Sequence, residues 1–210
     1  MRITIFSESP ADEAALKILV EGILGETVEE EPRKNKLRSR GFASVENELP
    51  VVIKSTYYNT DVDGLVVVYD SDDEPVHEKE HQENRNDKCR LCFLQGKISE
   101  VVKSLKPRPE RSPLKIAFGV AVPAIEAWYL CGTKIPVGEE SWKRKLKGEK
   151  VGYDRTTLKE KVYGVRPFRQ KQIETAVAEA NRLSLNLNLL EEKFPEGFGV
   201  FANEIQSWKQ

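Results

Sequence analysis

An α/β fold with a largely parallel sheet flanked by helices is what this sequence predicts, on three observations. Short β-branched runs alternate along the chain with segments whose apolar residues recur at helical spacing. One run, GLVVVYD at 64–70, is apolar almost throughout, as befits a central strand covered on both faces. Acidic residues gather directly after two of the expected strands, at the carboxyl edge where open α/β sheets bind ligands.

Residues 2–6 (RITIF) read as the first strand. In the SESPADE that follows, Ser7 or Ser9 caps a helix, Pro10 suits its first turn, and Asp12 and Glu13 complement its positive end. Ala15, Ile18, Leu19 and Ile23 form the apolar stripe of that helix, and Gly25 stops it. A basic, irregular stretch covers 27–44, and LPVVIKSTYY (49–58) reads as a second strand. A turn at Asp61–Gly64 leads into the third strand, 64–70. Residues 74–88 are almost wholly polar, 96–106 are helical, and PLKIAFGVAV (113–122) is the fourth strand. Pro123 opens the helix AIEAWYLCG, 170–193 is strongly helical, and FGVFANEIQSWK closes the chain as another amphipathic segment. The expected organisation is an α/β core over 1–138 with a basic, helical C-terminal extension over 139–210, packed on it as one compact unit.

With 210 residues, 39% of them hydrophobic and 32% charged, the chain can bury a real core. No apolar run nears the roughly 18 residues of a membrane span. MRITIFSES has too short an apolar stretch for a signal peptide, so a cytoplasmic protein without a membrane partner is expected. Cys89, Cys92 and Cys131 do not make a disulfide framework. Net charge is −1, but it is unevenly spread: residues 141–171 hold eleven Lys/Arg against three Asp/Glu. A second basic cluster, RKNKLRSR (33–40), has five positive residues in eight. Such segregation fits a surface facing a polyanion, and equally a set of solvated helix faces and loops.

The first strand delivers Glu8 and, one helical turn later, Asp12. The third delivers Asp70 and Asp72, which point to the same side if extended geometry persists. Should the two strands be neighbours, four carboxylates converge and repel, and a divalent cation removes the repulsion. Hard oxygen ligands suit Mg²⁺ or Mn²⁺. The plainer alternative makes DSDDE a solvated turn and Glu8 part of a helix cap. Glu126 lies in the apolar AIEAWYL helix, where an unpaired carboxylate is costly. It either joins the metal site or pairs with a buried Arg or Lys.

The order of these acids resembles the Toprim domain of topoisomerases, bacterial primases and the OLD (overcoming lysogenisation defect) nucleases. Glu8, then Asp12 four residues on, then YDSD after a later apolar strand, is closest to the OLD type. PAIEAWYL, KVYG and GFGVFANEI further resemble a small stand-alone Toprim-like bacterial family with an E-x-W-x-L helix after its fourth strand. The resemblance implies a Toprim-like fold and metal-dependent chemistry on phosphodiesters. It makes Glu8 a metal ligand or acid–base group, Asp70 and Asp72 the metal-binding pair, and Asp12 a further ligand. It also implies bacterial defence, with a separately encoded ATPase as partner. Ser9 stands where the family has glycine, and no lysine in the sequence identifies itself as the one OLD nucleases place near the scissile phosphate.

The only histidines, His77 and His81, precede Cys89 and Cys92 in an H-x₃-H-x₇-C-x₂-C pattern. Histidines four apart share a helical face, and C-x₂-C is a thiolate-knuckle spacing, so the four could complete a structural Zn²⁺ site that orders 74–95. Alternatively the histidines lie on an exposed helix and the cysteines pack as small apolar residues. Arg33, Lys34, Lys36, Arg38 and Arg40, with Lys143, Arg144 and Lys145, are the candidate contacts to nucleic acid, DNA or RNA. Trp142, Tyr153, Tyr163 and Phe168 are interleaved with the second basic region and either stack on unpaired bases or anchor it to the core. The expected function is a Mg²⁺- or Mn²⁺-dependent nuclease. Its rivals are a non-catalytic module binding nucleic acid or protein, and a small-molecule phosphotransferase, which would show a deep pocket beside the acids.

Overall fold

A computed structural model describes residues 1–32 and 42–209. Four strands form one sheet among the described residues: β1 (Arg2–Phe6), β2 (Glu29–Glu30), β3 (Gly64–Asp70) and β4 (Lys115–Ala121). The order is β2-β1-β3-β4 and every pairing is parallel. The α/β fold with a helical C-terminal stretch that the sequence predicts is what the chain adopts.

Strand alternation divides the core between the two faces of the sheet. Ile3, Ile5, Val66, Val68, Ala117 and Ala121 face one apolar cluster. Phe6, Leu65, Val67, Tyr69 and Val120 face the other. The first face is covered by α1 (Pro10–Leu24), with α7 (Arg169–Ser184) packed along it and α9 (Val200–Gln206) against β4. The second face is covered by α2 (Phe42–Asn59) and α3 (Arg90–Ser104). The C-terminal stretch thus contributes one wall of the core. Shorter helices complete it: α4 (Ile125–Tyr129), α5 (Glu139–Leu146), α6 (Arg155–Tyr163) and α8 (Leu187–Lys193).

Local signals are met at α1. The Ser9 hydroxyl caps it by accepting the Asp12 N–H at 3.2 Å, and Gly25 ends it in the left-handed region at φ 72°. Near the C-terminus, a π-helical turn over Pro195–Gly199 brings Gly197 so close to β4 that a Cβ would collide with the Val120 carbonyl.

LPVVIKSTYY is a correction. Residues 49–58 are the later turns of α2, not a strand. Val45, Leu49, Ile53 and Tyr57, each four apart, are its buried stripe, while Val51 is 61% exposed. The β-branched VVI inside the segment mimics a strand; the helical period emerges only when Val45 is included. The real remaining strand, β2, is two acidic residues long and gives no apolar signal. It is held at the sheet edge by pairing with Arg2 and Ile3 and by Arg2 side-chain bridges to Glu29 and Glu31 at 3.7 and 3.1 Å.

This topology positions a site. From β1 the chain runs through α1 to β2 on one side, then crosses back through α2 to β3 on the other. The switch point of the sheet therefore lies between β1 and β3, where ligands of doubly wound sheets bind beyond the strand ends. No described helix is long and apolar enough to cross a membrane.

Candidate functional site

At that switch point five carboxyl groups line one cavity of about 540 Å³: Glu8, Asp12, Asp70 and Glu126 from the strand ends and the first turns of α1 and α4, and Glu160 from α6. Glu8 leaves the end of β1, Asp12 sits in the first turn of α1, Asp70 ends β3, and Glu126 belongs to the first turn of α4. Parallel pairing of β1 with β3, with Phe6 opposite Val67, brings the two strand ends side by side. Backbone hydrogen bonds fix the orientation of two of the acids. The Asp70 N–H donates to Glu8 Oε1 at 3.3 Å, and Asp70 Oδ1 accepts the Ile125 N–H at 2.9 Å.

Electrostatically, burial and mutual repulsion disfavour the ionised forms of Glu8, Asp12, Asp70 and Glu126. Burial pushes the Asp12 carboxyl up to about 7, helped by Glu126 and Glu8. Burial and the same neighbours hold Asp70 well above the ordinary carboxylate range. Glu8 and Glu126 are also raised, chiefly by burial, with Lys159 pulling each back down. Glu126 is only 4% exposed, and its Oε2 has no hydrogen-bond partner among the described residues. A buried carboxylate oxygen left in this state is costly, and a cation in the cavity would satisfy it. The donor set, all carboxylate oxygen, is of the kind that hard divalent ions take.

Lys159 of α6 also lines the cavity, together with Thr156 and Tyr163 of the same helix, and its charge acts on Glu8, Asp12, Asp70 and Glu126. Sequence reading missed it because it is one lysine among eleven cations between 141 and 171. Its place on the KVYG helix was the one usable signal.

Asp72 is placed differently from the expectation. Extended geometry stops at Asp70; Asp72 has a left-handed φ of 53°, and its backbone N–H donates to the Pro123 carbonyl at 2.9 Å. Its side chain does not alternate back into the cavity. Oδ2 instead pairs with Arg90 at 2.6 Å and Oδ1 with Arg155. Asp72 is a neutralised anchor beside the acids, close enough to raise the Glu8 carboxyl.

No protein-family model, curated protein or solved structure matches this chain.

A second cluster lies near the start of α3. His77, His81, Cys89 and Cys92 each offer a ligand atom, all within 4.8 Å of one another, and the group could hold a metal ion. His77 Nδ1 stands 3.5 Å from Cys89 Sγ and 3.4 Å from Cys92 Sγ. A tetrahedral ion with bonds of about 2.3 Å to sulfur and about 2.0 Å to nitrogen separates such ligands by roughly 3.5 Å. The route is not the shared helical face expected. His77 precedes a 3₁₀ turn over Lys79–Gln82 that carries His81, and the two rings meet edge to face at 5.2 Å. His77 is buried and His81 half-buried on a 3₁₀ turn, so the histidines do not lie on an exposed helix, whereas the burial of both cysteines suits either reading. Burial lowers the His77 pKa, favouring the neutral imidazole a ligand needs, and raises the Cys89 thiol to about 11.

The candidate nucleic-acid contacts fare unevenly. Arg33, Lys34, Lys36, Arg38 and Arg40 lie outside the described residues. On α5, Lys143 pairs with Glu140 at 3.0 Å and Glu78 at 3.7 Å, and Arg144 reaches Glu149 at 4.0 Å. Lys145 donates to the Tyr153 carbonyl at 2.9 Å and lies over the Trp142 ring. None of the three lines the acidic cavity. Trp142 and Tyr153 stack on each other in the core and anchor the segment. Phe168 is 69% exposed, on the loop whose Arg166 and Pro167 rim the cavity.

Proposed function

We propose that the chain is a Mg²⁺- or Mn²⁺-dependent phosphodiester hydrolase acting on nucleic acid, with Glu8, Asp12, Asp70 and Glu126 as its cation-binding carboxylates. The observation that carries this reading is the buried Glu126 side chain, with its Oε2 unpartnered among the described residues, in one cavity with three further raised carboxyls at the switch point of the sheet. The resemblance of Glu8, Asp12 and Asp70 to Toprim acids supports it, while Asp72, the second acid of the pair that the resemblance implies, is held by Arg90 and Arg155 instead. A divalent ion supplies an activated water and neutralises charge on a phosphate. The chain's own residues supply the rest. The Ile125 and Asp70 N–H groups hold Asp70 and Glu8 in place, and Lys159 offers a positive charge to the non-bridging oxygens of a phosphate entering the cavity. Arg166 at the rim meets the flanking phosphate, and Phe168 offers a face to an unpaired base. The His77, His81, Cys89 and Cys92 cluster takes Zn²⁺ as a closed, structural ion.

A second reading, hydrolysis or transfer on a small phosphate ester, is favoured by one feature. The cavity falls in the range of roughly 300–1,000 Å³ typical of small-ligand pockets. Assay of the purified protein with Mn²⁺ against single- and double-stranded DNA and RNA, and against nucleotides, separates the two. Cleavage of polymer that is lost in both Asp70→Ala and Glu8→Ala, with the fold intact, is the expected result. Turnover of nucleotides alone would favour the second reading, and polymer cleavage unchanged in both variants would sink the site assignment.

A further inference from the structure

We infer that a zinc ion on His77, His81, Cys89 and Cys92 acts as the clamp that positions Arg90 on the acidic site, so that the state of the knuckle governs whether that site is assembled. For its consequence on cation binding this rests on the reading of the acidic cavity given above; the placement of Arg90 does not.

Arg90 is the residue that follows the first cysteine of C-x₂-C, and it opens α3. While Cys89 and Cys92 turn into the metal cluster, its guanidinium runs the opposite way, to the end of β3. Nη1 donates to the Asp70 carbonyl at 2.5 Å, and Nη2 pairs with Asp72 Oδ2 at 2.6 Å. The guanidinium also lies 4.3 Å from the centroid of the Phe42 ring. Only 11% of the side chain is exposed. This fork therefore holds the backbone of one proposed ligand, Asp70, and neutralises the charge nearest Glu8. Asp72 passes the connection on to Arg155 of α6, the helix that presents Lys159 to the cavity. A continuous polar path thus links the knuckle to Asp70 and to α6 at the acidic site.

The segment feeding the knuckle has little else to hold it. Between β3 and α3 the described regular structure is a single 3₁₀ turn, and its buried apolar residues before Cys89 are few, Val76 among them. Two thiolates and two imidazoles fixed by one ion would set the start of α3, and with it the direction of Arg90, far more tightly than protonated thiols can. Outer residues that orient metal ligands typically change metal affinity 10–100-fold when altered. Arg90 is in that position relative to Asp70: a positioning residue, controlled by a second metal.

The test uses the full chain, zinc-loaded and zinc-stripped, with ¹⁵N-labelled arginine. The Arg90 Nε–H resonance, assigned by its loss in Arg90→Lys, is followed alongside a Mn²⁺ titration. The expected result is a slowly exchanging Arg90 signal in the zinc form, lost on stripping and restored by added Zn²⁺, with Mn²⁺ affinity falling about 10-fold in parallel. Arg90→Lys keeps its zinc, shows the weakened Mn²⁺ affinity already, and loses nothing more on stripping. Three results would overturn the inference: an Arg90 signal indifferent to stripping, a purified protein that binds no zinc, or stripping that erases resonances across the whole sheet. If the zinc-loaded chain binds no Mn²⁺ at all, the hydrolase reading fails, and the Arg90 signal still decides this one.

Discussion

The two clusters of ionisable side chains in this protein bring several groups together in opposite ways. His77, His81, Cys89 and Cys92 close on one another within 4.8 Å, and His77 is already about as far from each sulfur as a tetrahedral ion would hold it. Glu8, Asp12, Asp70 and Glu126 open onto a cavity of about 540 Å³ that Lys159 and Glu160 of α6 also line. A closed set of four N and S ligands leaves no position for a substrate, whereas an open set of carboxylates does. Structural and catalytic metal sites differ in this respect. The comparison teaches that burial alone does not mark a reactive site; the space next to the buried charge does.

The largest expected difference between the clusters is in stability. The binding free energy of a structural zinc enters folding to the extent that its site exists only in the folded chain; here the ion orders the segment before α3, while the sheet keeps cores of its own. Cys89→Ser combined with Cys92→Ser should therefore lower the thermal midpoint with the sheet still folded, and elemental analysis should find no zinc in the variant against an expected one equivalent in the parent chain. A variant that keeps its midpoint would place the cluster among packed thiols and erase the contrast.

Asp70→Asn should act in the other direction. Asparagine can keep the hydrogen bond from the Ile125 N–H through its own carbonyl oxygen, while removing one of four mutually repelling carboxyls. Without divalent cation the variant should be more stable than the parent by about 1–2 kcal/mol, the gain seen when a strained functional site is relaxed. Its Mn²⁺ affinity should fall by more than the roughly 10–100-fold that an outer-shell change causes. Calorimetric titration and denaturant unfolding of one preparation measure both. Loss of stability together with loss of affinity would mean that Asp70 is a structural residue.

How much of this contrast could be read from the sequence follows from where each residue sits. Glu8, Asp12 and Asp70 were legible because strand ends and a first helical turn fix a side chain's direction within two residues of a recognisable element. Asp72 was not, since its direction depends on a left-handed turn at φ 53° and on two arginines remote in sequence. Lys159 was hidden in a basic stretch whose members differ only in which face of α6 they occupy. The zinc-type ligands were legible from residue type and spacing, although the 3₁₀ turn that joins the histidines was not. In the fold, β3 and β4 announced themselves as long apolar runs. β2 could not, being two glutamates held by backbone pairing. α2 was misread because its β-branched turns outweigh its period over ten residues.

A buried carboxylate outside both clusters sharpens the comparison with the smallest effect. Glu139, the first residue of α5, is only 1% exposed, and burial pushes its carboxyl up to about 7. It resembles the cavity acids in that respect, yet Oε1 accepts the Gly197 N–H at 2.7 Å and Oε2 the Glu196 N–H at 3.1 Å, and it is not among the residues lining the cavity. Its role is to hold the π-helical turn against β4. Because its folded pKa lies above the unfolded value near 4.5, the folded chain binds more protons between those values. Stability is therefore full below about 4.5 and declines as pH rises towards 7. The cavity acids add the same slope in the absence of cation, for the same reason of sign. Saturating Mn²⁺ should cancel their share, since the ion takes the place of the protons, and leave that of Glu139, on the order of 2 kcal/mol over the window. Glu139→Gln should then flatten the remaining slope in denaturant unfolding measured from pH 4.5 to 7.5 with Mn²⁺ present. A slope that Mn²⁺ fails to reduce in the parent chain would show that the cavity acids, like Glu139, are buried for packing and not for a cation.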